Sequence, residues 1–232
     1  MSRPLLLALI PLAYVIGSIP FGLIVGKSKG IDPRKAGSGN IGATNVGRLL
    51  GGRFFALVFT LDLLKGLLPT ALAAWLLHGE AQAASDFLLW LLVGAAAIAG
   101  HMFSVFLGFK GGKGVATSAG VLLGVFPYFT LPGVLSILLW VVLFKATRYV
   151  SVASIFGSGL FPVFYLVVGI IMGWPLFGAQ APLLIFAAVM AALIVFKHRT
   201  NIARLRAGTE NRFEKKKPPA TSSSAAPPEG VS

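Results

Sequence analysis

Three short stretches hold most of the residues in this chain whose types and spacing could handle an anion or a proton. The first reads Gly37-Ser38-Gly39-Asn40-Ile41-Gly42-Ala43-Thr44-Asn45-Val46-Gly47-Arg48. Its four glycines let the backbone turn tightly and aim N–H groups at one point, a nest for an anion. Ser38, Asn40, Thr44 and Asn45 add side-chain donors, and Arg48 adds a planar fork that suits phosphate. The second reads Gly108-Phe109-Lys110-Gly111-Gly112-Lys113-Gly114-Val115-Ala116-Thr117. Here Gly111 and Gly112 stand just before a predicted helix, whose free N–H groups and positive dipole end favour phosphate, with Lys113 as a point charge beside it. This is not a P-loop, since the GxxxxGK[ST] spacing is absent. Lys110 and Lys113 would also serve as plain topology markers. The third runs from Lys197-His198-Arg199-Thr200-Asn201 through Arg204 to Gly208-Thr209-Glu210. His198 fits either a general base or a phosphate donor, and it shares a face with Asn201 if the helix continues. Glu210 reads as structural, paired with a nearby arginine. Ser151, just after Lys145 and Arg148, is a further donor candidate for the same site.

Other chemistries find little footing. The chain has no cysteine, which removes disulfides, thiolate catalysis and cysteine-based metal sites. No carboxylate–histidine cluster points to a metal, so neither metal nor cofactor is expected. There is no Gly-x-Ser-x-Gly elbow, and no histidine is followed by an aspartate five positions later, the arrangement of many acyltransferases. His78 falls in a non-basic loop and reads as inert. His101 reads as a packed, hydrogen-bonded residue. Asp62 and Lys65, three apart in an apolar run, read as a buried ion pair on one helical face.

The elements that must position these residues follow from hydropathy. Of 232 residues, 56% are hydrophobic and only 12% charged, where a soluble domain carries about 25% charged. The expected fold is all-α: a polytopic integral membrane protein with seven transmembrane helices. The spans are predicted at about 4–26, 54–77, 87–107, 115–126, 131–144, 152–172 and 182–196, with Pro11 and Pro20 as kinks in the first. Basic residues flank the stretch 114–145 on both sides, so it must cross an even number of times; two short helices meeting at Pro127–Pro132 satisfy this. The loops then alternate. Segments 27–53, 109–114, 145–151 and everything after Lys197 are basic; 78–86, 127–130 and 173–181 carry no lysine or arginine. The N-terminus is expected outside and the C-terminus in the cytoplasm, with Arg3 the one basic residue on the wrong side. The first apolar run lacks a cleavage site, so no cleavable signal is expected. The formal charge of +13 flanks spans instead of clustering on a soluble module, which argues against nucleic acid and for anionic lipids and substrates. Residues 1–210 form the expected membrane domain. Residues 211–232, rich in Lys, Pro, Ser and Ala, are expected to be a disordered cytoplasmic tail.

The segments GSGNIGATNVGR, HMFSVFLGFKGGKGVAT and HRTNIARLRAGTE, together with the run Gly17-Ser18-Ile19-Pro20-Phe21-Gly22, resemble the signature motifs of the bacterial acyl-phosphate:glycerol-3-phosphate acyltransferases, the PlsY family. The resemblance runs from about Gly17 to Glu210. It implies a seven-helix enzyme of the bacterial inner membrane, with its site facing the cytoplasm. The enzyme would move a fatty acyl group from acyl phosphate to position 1 of sn-glycerol 3-phosphate, giving lysophosphatidic acid and phosphate. It implies no cofactor and no acyl-CoA donor; we expect a monomer. By similarity, Ser38, Thr44, Asn45, Arg48, His198 and Asn201 are the catalytic set. Gly37, Gly39, Asn40, Gly111, Gly112, Lys113 and Ser151 hold substrate phosphates. The competing reading is a transporter of a phosphorylated metabolite, which Asp62, Lys65 and the kinked first helix would suit. Against it, the polar residues gather on one face and no inverted repeat is visible.

Overall fold

The structure, a computed structural model, describes residues 2–77 and 83–213. The His78 reading and the tail from 214 to 232 lie outside the described residues. Among these residues every regular element is helical: α1 (Ser2–Ser18), α2 (Phe21–Ser28), α3 (Ala43–Leu50), α4 (Gly52–Leu76), α5 (Ala84–Met102), a 3-10 turn (Val105–Leu107), α6 (Val115–Gly124), α7 (Thr130–Thr147), α8 (Val150–Gly159), α9 (Phe161–Ile171), α10 (Ala181–Lys197) and α11 (Arg199–Arg206). Five segments are long and apolar enough to cross a membrane: Arg3–Ser28, Gly52–Leu76, Ala84–Leu107, Thr130–Thr147 and Val150–Ile171. The pair α10 and α11, bent by 52°, makes a sixth if counted as one span. The expected fourth span is α6, whose ten residues reach only about 15 Å at 1.5 Å per residue.

Several expected boundaries move, each for a local reason. Pro11 lies inside α1 without ending it. Pro20 does break the first span, since it has no N–H to continue the ladder, and α2 starts at Phe21. The third span ends at Leu107 as expected, but its α-helix, α5, stops at Met102, where the carbonyls of His101 and Met102 accept N–H bonds from Gly112 (3.0 Å) and Gly111 (3.2 Å). The sixth span divides at Leu160, with Pro162 in the first turn of α9. Two helices do occupy 115–144, meeting across the turn that holds Pro127.

Close helix approach is set by small residues. A side chain on Gly17 would strike the Ala97 backbone, and one on Gly100 would strike Tyr14 and Ser18, so α1 lies directly along α5. Gly66 and Gly120 do the same for α4 and α6 against the backbones of Thr117 and Leu63. At one end of the bundle, aromatic rings lock the turn after α6. Tyr128 meets Phe87, Trp90 and Trp174 edge-on, and Phe129 packs on Phe161, Tyr165 and Phe186. The glycine-rich segments and α11 lie at the ends of these helices, where the site is built.

Candidate active site

The first glycine-rich stretch is only half a loop. Residues 43–50 form α3, with Ala43, Val46 and Gly47 buried on one side and Arg48 half-buried on the other; the irregular loop expected there ends at Gly42. The glycine count concealed an amphipathic helix, whose apolar stripe is short but correctly spaced. Gly37 and Gly39 take left-handed φ angles of 62° and 73°, which a side chain would strain.

Asn45 organises this segment from within. It is 2% exposed. Its Oδ1 accepts from the Ser38 N–H at 2.8 Å, and its Nδ2 donates to the carbonyls of Pro33 (2.9 Å), Ala36 (3.1 Å) and Asn40 (2.8 Å). Asn40 turns its own Oδ1 onto the Gly42 N–H at 2.8 Å. The role of side-chain donor to an anion, expected of Asn45, does not fit this arrangement: both polar atoms are already taken by the loop. Ser38 and Thr44 remain half-buried on the same segment.

The second stretch folds back on the end of α5. Gly111 and Gly112 donate to the Met102 and His101 carbonyls, and the Lys197 ammonium donates to the same Met102 carbonyl at 2.9 Å. Gly114, at φ 84°, then opens α6, which has no side-chain cap. Its first N–H groups therefore stay available to an anion.

The third stretch is a hub around Glu210. Glu210 Oε1 accepts from Ser151 Oγ (2.9 Å) and Asn201 Nδ2 (2.6 Å), and Oε2 from Arg204 Nε (2.8 Å). Burial pushes its pKa up, but these three hydrogen bonds, Arg204 first, hold it below the usual carboxylate value. The chain bends at His198, which ends α10 and precedes α11. His198 Nδ1 lies 2.8 Å from the Ile194 carbonyl, so that nitrogen carries the proton and Nε2 is left as an acceptor. Burial first, then the Lys113 charge, pushes the His198 pKa down to about 4 against the pull of the Ile194 bond, leaving the ring neutral at pH 7.

The stretches meet electrostatically. Burial pushes Lys113 down to about 8; Glu210 opposes this, and Arg204 and Arg48 reinforce it. Burial also lowers Arg48, opposed by Glu210 and reinforced by Arg204. Three cations, one carboxylate and a neutral histidine thus share one field. Two buried polar atoms there have no protein partner, Arg48 Nε and Asn201 Oδ1. Buried polar atoms are nearly always hydrogen-bonded, so this pair is aimed at something the protein does not supply. Arg48 Nη2 reaches the Asn211 carbonyl at 2.9 Å, and an open cleft of about 420 Å³ lies beside Glu210, lined by Tyr149, Gly208, Asn211 and Arg212. Arg204 and the 211–213 segment were absent from the candidates read off the sequence; the spacing of Arg204, three after Asn201 on one helical face, was the available signal.

Comparison with known proteins gives the family. Residues 7–208 match the family model described as glycerol-3-phosphate acyltransferase. The chain is 44% identical to the glycerol-3-phosphate acyltransferase of Geobacter sulfurreducens, over 90% of this chain and 97% of that one. It is also 44% identical to that of Aquifex aeolicus, over 89% and 98%. Among solved structures, it is similar to PlsY (YgiH), an integral membrane glycerol 3-phosphate acyltransferase. The glycerol 3-phosphate form has a TM-score of 0.76 at 41% identity, covering 90% of this chain and 96% of that one; the lysophosphatidic acid form gives the same score and identity. With a family match across most of its length and relatives this close, the chain belongs to the glycerol-3-phosphate acyltransferase family of integral membrane proteins.

Proposed function

We propose that the protein transfers a fatty acyl group from acyl phosphate to the 1-hydroxyl of sn-glycerol 3-phosphate, giving lysophosphatidic acid and inorganic phosphate. The observation that carries this is the unpartnered pair Arg48 Nε and Asn201 Oδ1, set among Lys113, Arg204 and His198. A guanidinium N–H with no acceptor calls for an anion; an amide oxygen with no donor calls for a hydroxyl. Glycerol 3-phosphate carries both. Its solved relatives are named for a glycerol 3-phosphate form and a lysophosphatidic acid form, the acceptor and product of this reaction.

In this reading Arg48, Lys113 and the free N–H groups of α6 hold phosphate, with Gly111 and Gly112 letting backbone approach it closely. The Ser38 hydroxyl and the Gly37 N–H offer the first loop's donors, Gly39 supplies the left-handed turn beside them, and Thr44 stabilises the developing oxyanion. Asn45 and Asn40 shape that loop from inside. Glu210 and Ser151 hold Asn201 in place, and His198 and Asn201 orient glycerol phosphate. The glycerol hydroxyl oxygen attacks the acyl carbonyl carbon. A new ester C–O bond forms, the C–O bond to phosphate breaks, and phosphate leaves with the electron pair. The hydroxyl proton passes to His198 Nε2 or to a substrate phosphate oxygen. A histidine with a pKa near 4 is a weak base, which is enough for an acyl donor with a good leaving group. Positioning alone supplies about 7–11 kcal/mol of such a barrier.

The setting proposed is the bacterial cytoplasmic membrane, crossed seven times, with α6 and its turn as a short crossing and local thinning around it. Loop charge supports an outside N-terminus and a site facing the cytoplasm. The protein acts as a monomer.

The test uses purified protein in detergent. Acyl phosphate plus glycerol 3-phosphate should yield lysophosphatidic acid and free phosphate in equal amounts, and acyl-CoA should yield neither. Turnover with acyl-CoA alone would refute the donor, and no turnover without a sealed vesicle would restore the transporter. His198→Gln separates the two proton routes. A fall in kcat of at least about 10²-fold marks histidine as the base; a rise confined to KM for glycerol 3-phosphate marks binding.

A further inference from the structure

Asp62, Lys65 and His101 take no part in the chemistry above, yet they lie directly beneath it. Ionisable groups among apolar helices are costly unless paired, and they are seldom kept without a task. Lys65 Nζ stands 2.8 Å from Asp62 Oδ1, with both side chains almost fully buried. It also donates to the Ile19 carbonyl at 2.9 Å and sits 5.6 Å from the Phe21 ring. Ile19 is the break between α1 and α2, and α2 leads to the first glycine-rich loop. Gly22 on α2 has the Ile41 carbonyl where a side chain would go, so helix and loop are in direct backbone contact.

The same carboxylate oxygen also faces His101, at the end of α5 that bears the second loop. His101 Nδ1 is 3.6 Å from Asp62 Oδ1, in contact with the oxygen that Lys65 also approaches but beyond hydrogen-bond distance, and it has no other partner among the described residues. The His101 carbonyl accepts the Gly112 N–H at 3.0 Å, and the ring's Nε2 fills the space a Gly112 Cβ would need. Asp62 thus has Lys65 bonded to it, which reaches the α1–α2 break, and His101 packed beside it, which bears on Gly112 of the second segment.

We propose that Asp62, Lys65 and His101 are positioning residues that set the distance between the two phosphate-holding segments, Lys65 through the α1–α2 break and His101 through Gly111–Lys113. This rests on the reading that those segments hold substrate phosphate. A buried ion pair that only glues helices is replaceable by apolar residues of similar size with little loss of stability. A spacer is not replaceable in that way, because displacing reacting groups by about 1 Å costs about 10²-fold in rate.

Two variants test this: Asp62→Leu with Lys65→Met, and His101→Ala, which leaves the ion pair intact. Each is purified in detergent, melted, and assayed for kcat, KM for glycerol 3-phosphate and competitive inhibition by inorganic phosphate. The expected result is a melting temperature close to that of the parent, kcat/KM lower by about 10- to 100-fold and a phosphate inhibition constant at least about tenfold higher. Folded variants that turn over and bind phosphate as the parent does would overturn the proposal. Should the double variant fail to fold, His101→Ala decides by the same measurements. The parent is the internal reference: if phosphate does not compete in the parent, the phosphate reading of the loops has failed, and the spacer with it. Competition in the parent combined with unaltered variants sinks the spacer alone.

Discussion

Raising the pH from about 7 to about 9 should weaken glycerol 3-phosphate binding about tenfold through Lys113 alone. Burial brings the Lys113 pKa to about 8 in the free protein, well below the 10.5 of an unfolded lysine. Its charge is therefore complete below that value and falls about tenfold for each further pH unit. At pH ~9 roughly nine molecules in ten carry a neutral Lys113, and a ligand that needs the ammonium binds about tenfold more weakly, ~1.4 kcal/mol. A phosphate monoester, with its second pKa at about 6, stays a dianion throughout. The neighbouring groups do not confuse the window: His198 titrates at about 4, Glu210 lies below the usual carboxylate value, and arginine stays charged. Stability moves the other way. The unfolded chain holds more protons between the two lysine pKa values, so folding gains slightly as pH rises through that window while anion affinity falls. The assay is KM for glycerol 3-phosphate, or the inhibition constant of inorganic phosphate, across this range in detergent. Lys113→Arg, which keeps its charge, should flatten the profile even if it binds less well. A flat profile in the parent, or an unchanged slope in Lys113→Arg, would refute the placement of this ammonium against phosphate.

Asn45→Ala removes the amide that bonds the Ser38 N–H and shares its two N–H groups among three loop carbonyls; three full hydrogen bonds at a net ~1 kcal/mol each, less what water restores, put the lost stability at about 2–3 kcal/mol, read by thermal melting. Glu210→Gln removes the charge that gathers Arg204, Asn201 and Ser151. It should lower kcat/KM by about 10- to 100-fold, because charged hydrogen bonds are worth ~1.5–3 kcal/mol where buried; unchanged kinetics would show the hub to be inert. Gly22→Ala drives a Cβ into the Ile41 carbonyl, so activity should fall at least about tenfold. Gly52→Ala, with open space at the new Cβ, serves as the neutral control.

The legible part of this protein was the part that is one-dimensional. Apolar runs about 20 residues long, ended by basic clusters, are a property of the chain in order, because lipid demands that each span satisfy its own backbone. That logic located the helices that became α4, α5, α7 and α10, and it divided 115–144 into two. It could not see the stop at Met102, since that depends on two carbonyls bonding glycines that lie nine and eleven residues away. Nor could it see α3, because four glycines masked a single apolar stripe.

For the site, residue types and their order were enough to single out three stretches as candidates for holding an anion and to name the family they resemble. Direction was not. Whether an amide faces a ligand or its own loop depends on which carbonyls surround it, and Asn45 faces inward. Whether a glutamate is idle depends on partners distant in sequence, and Ser151, 59 residues away, is one of them. The order of residues along the chain determined which groups are present and which segments lie in lipid. Only packing decided which of those groups are used up by one another and which, such as Arg48 Nε and Asn201 Oδ1, are left without a protein partner, because hydrogen-bond satisfaction is a property of neighbours in space.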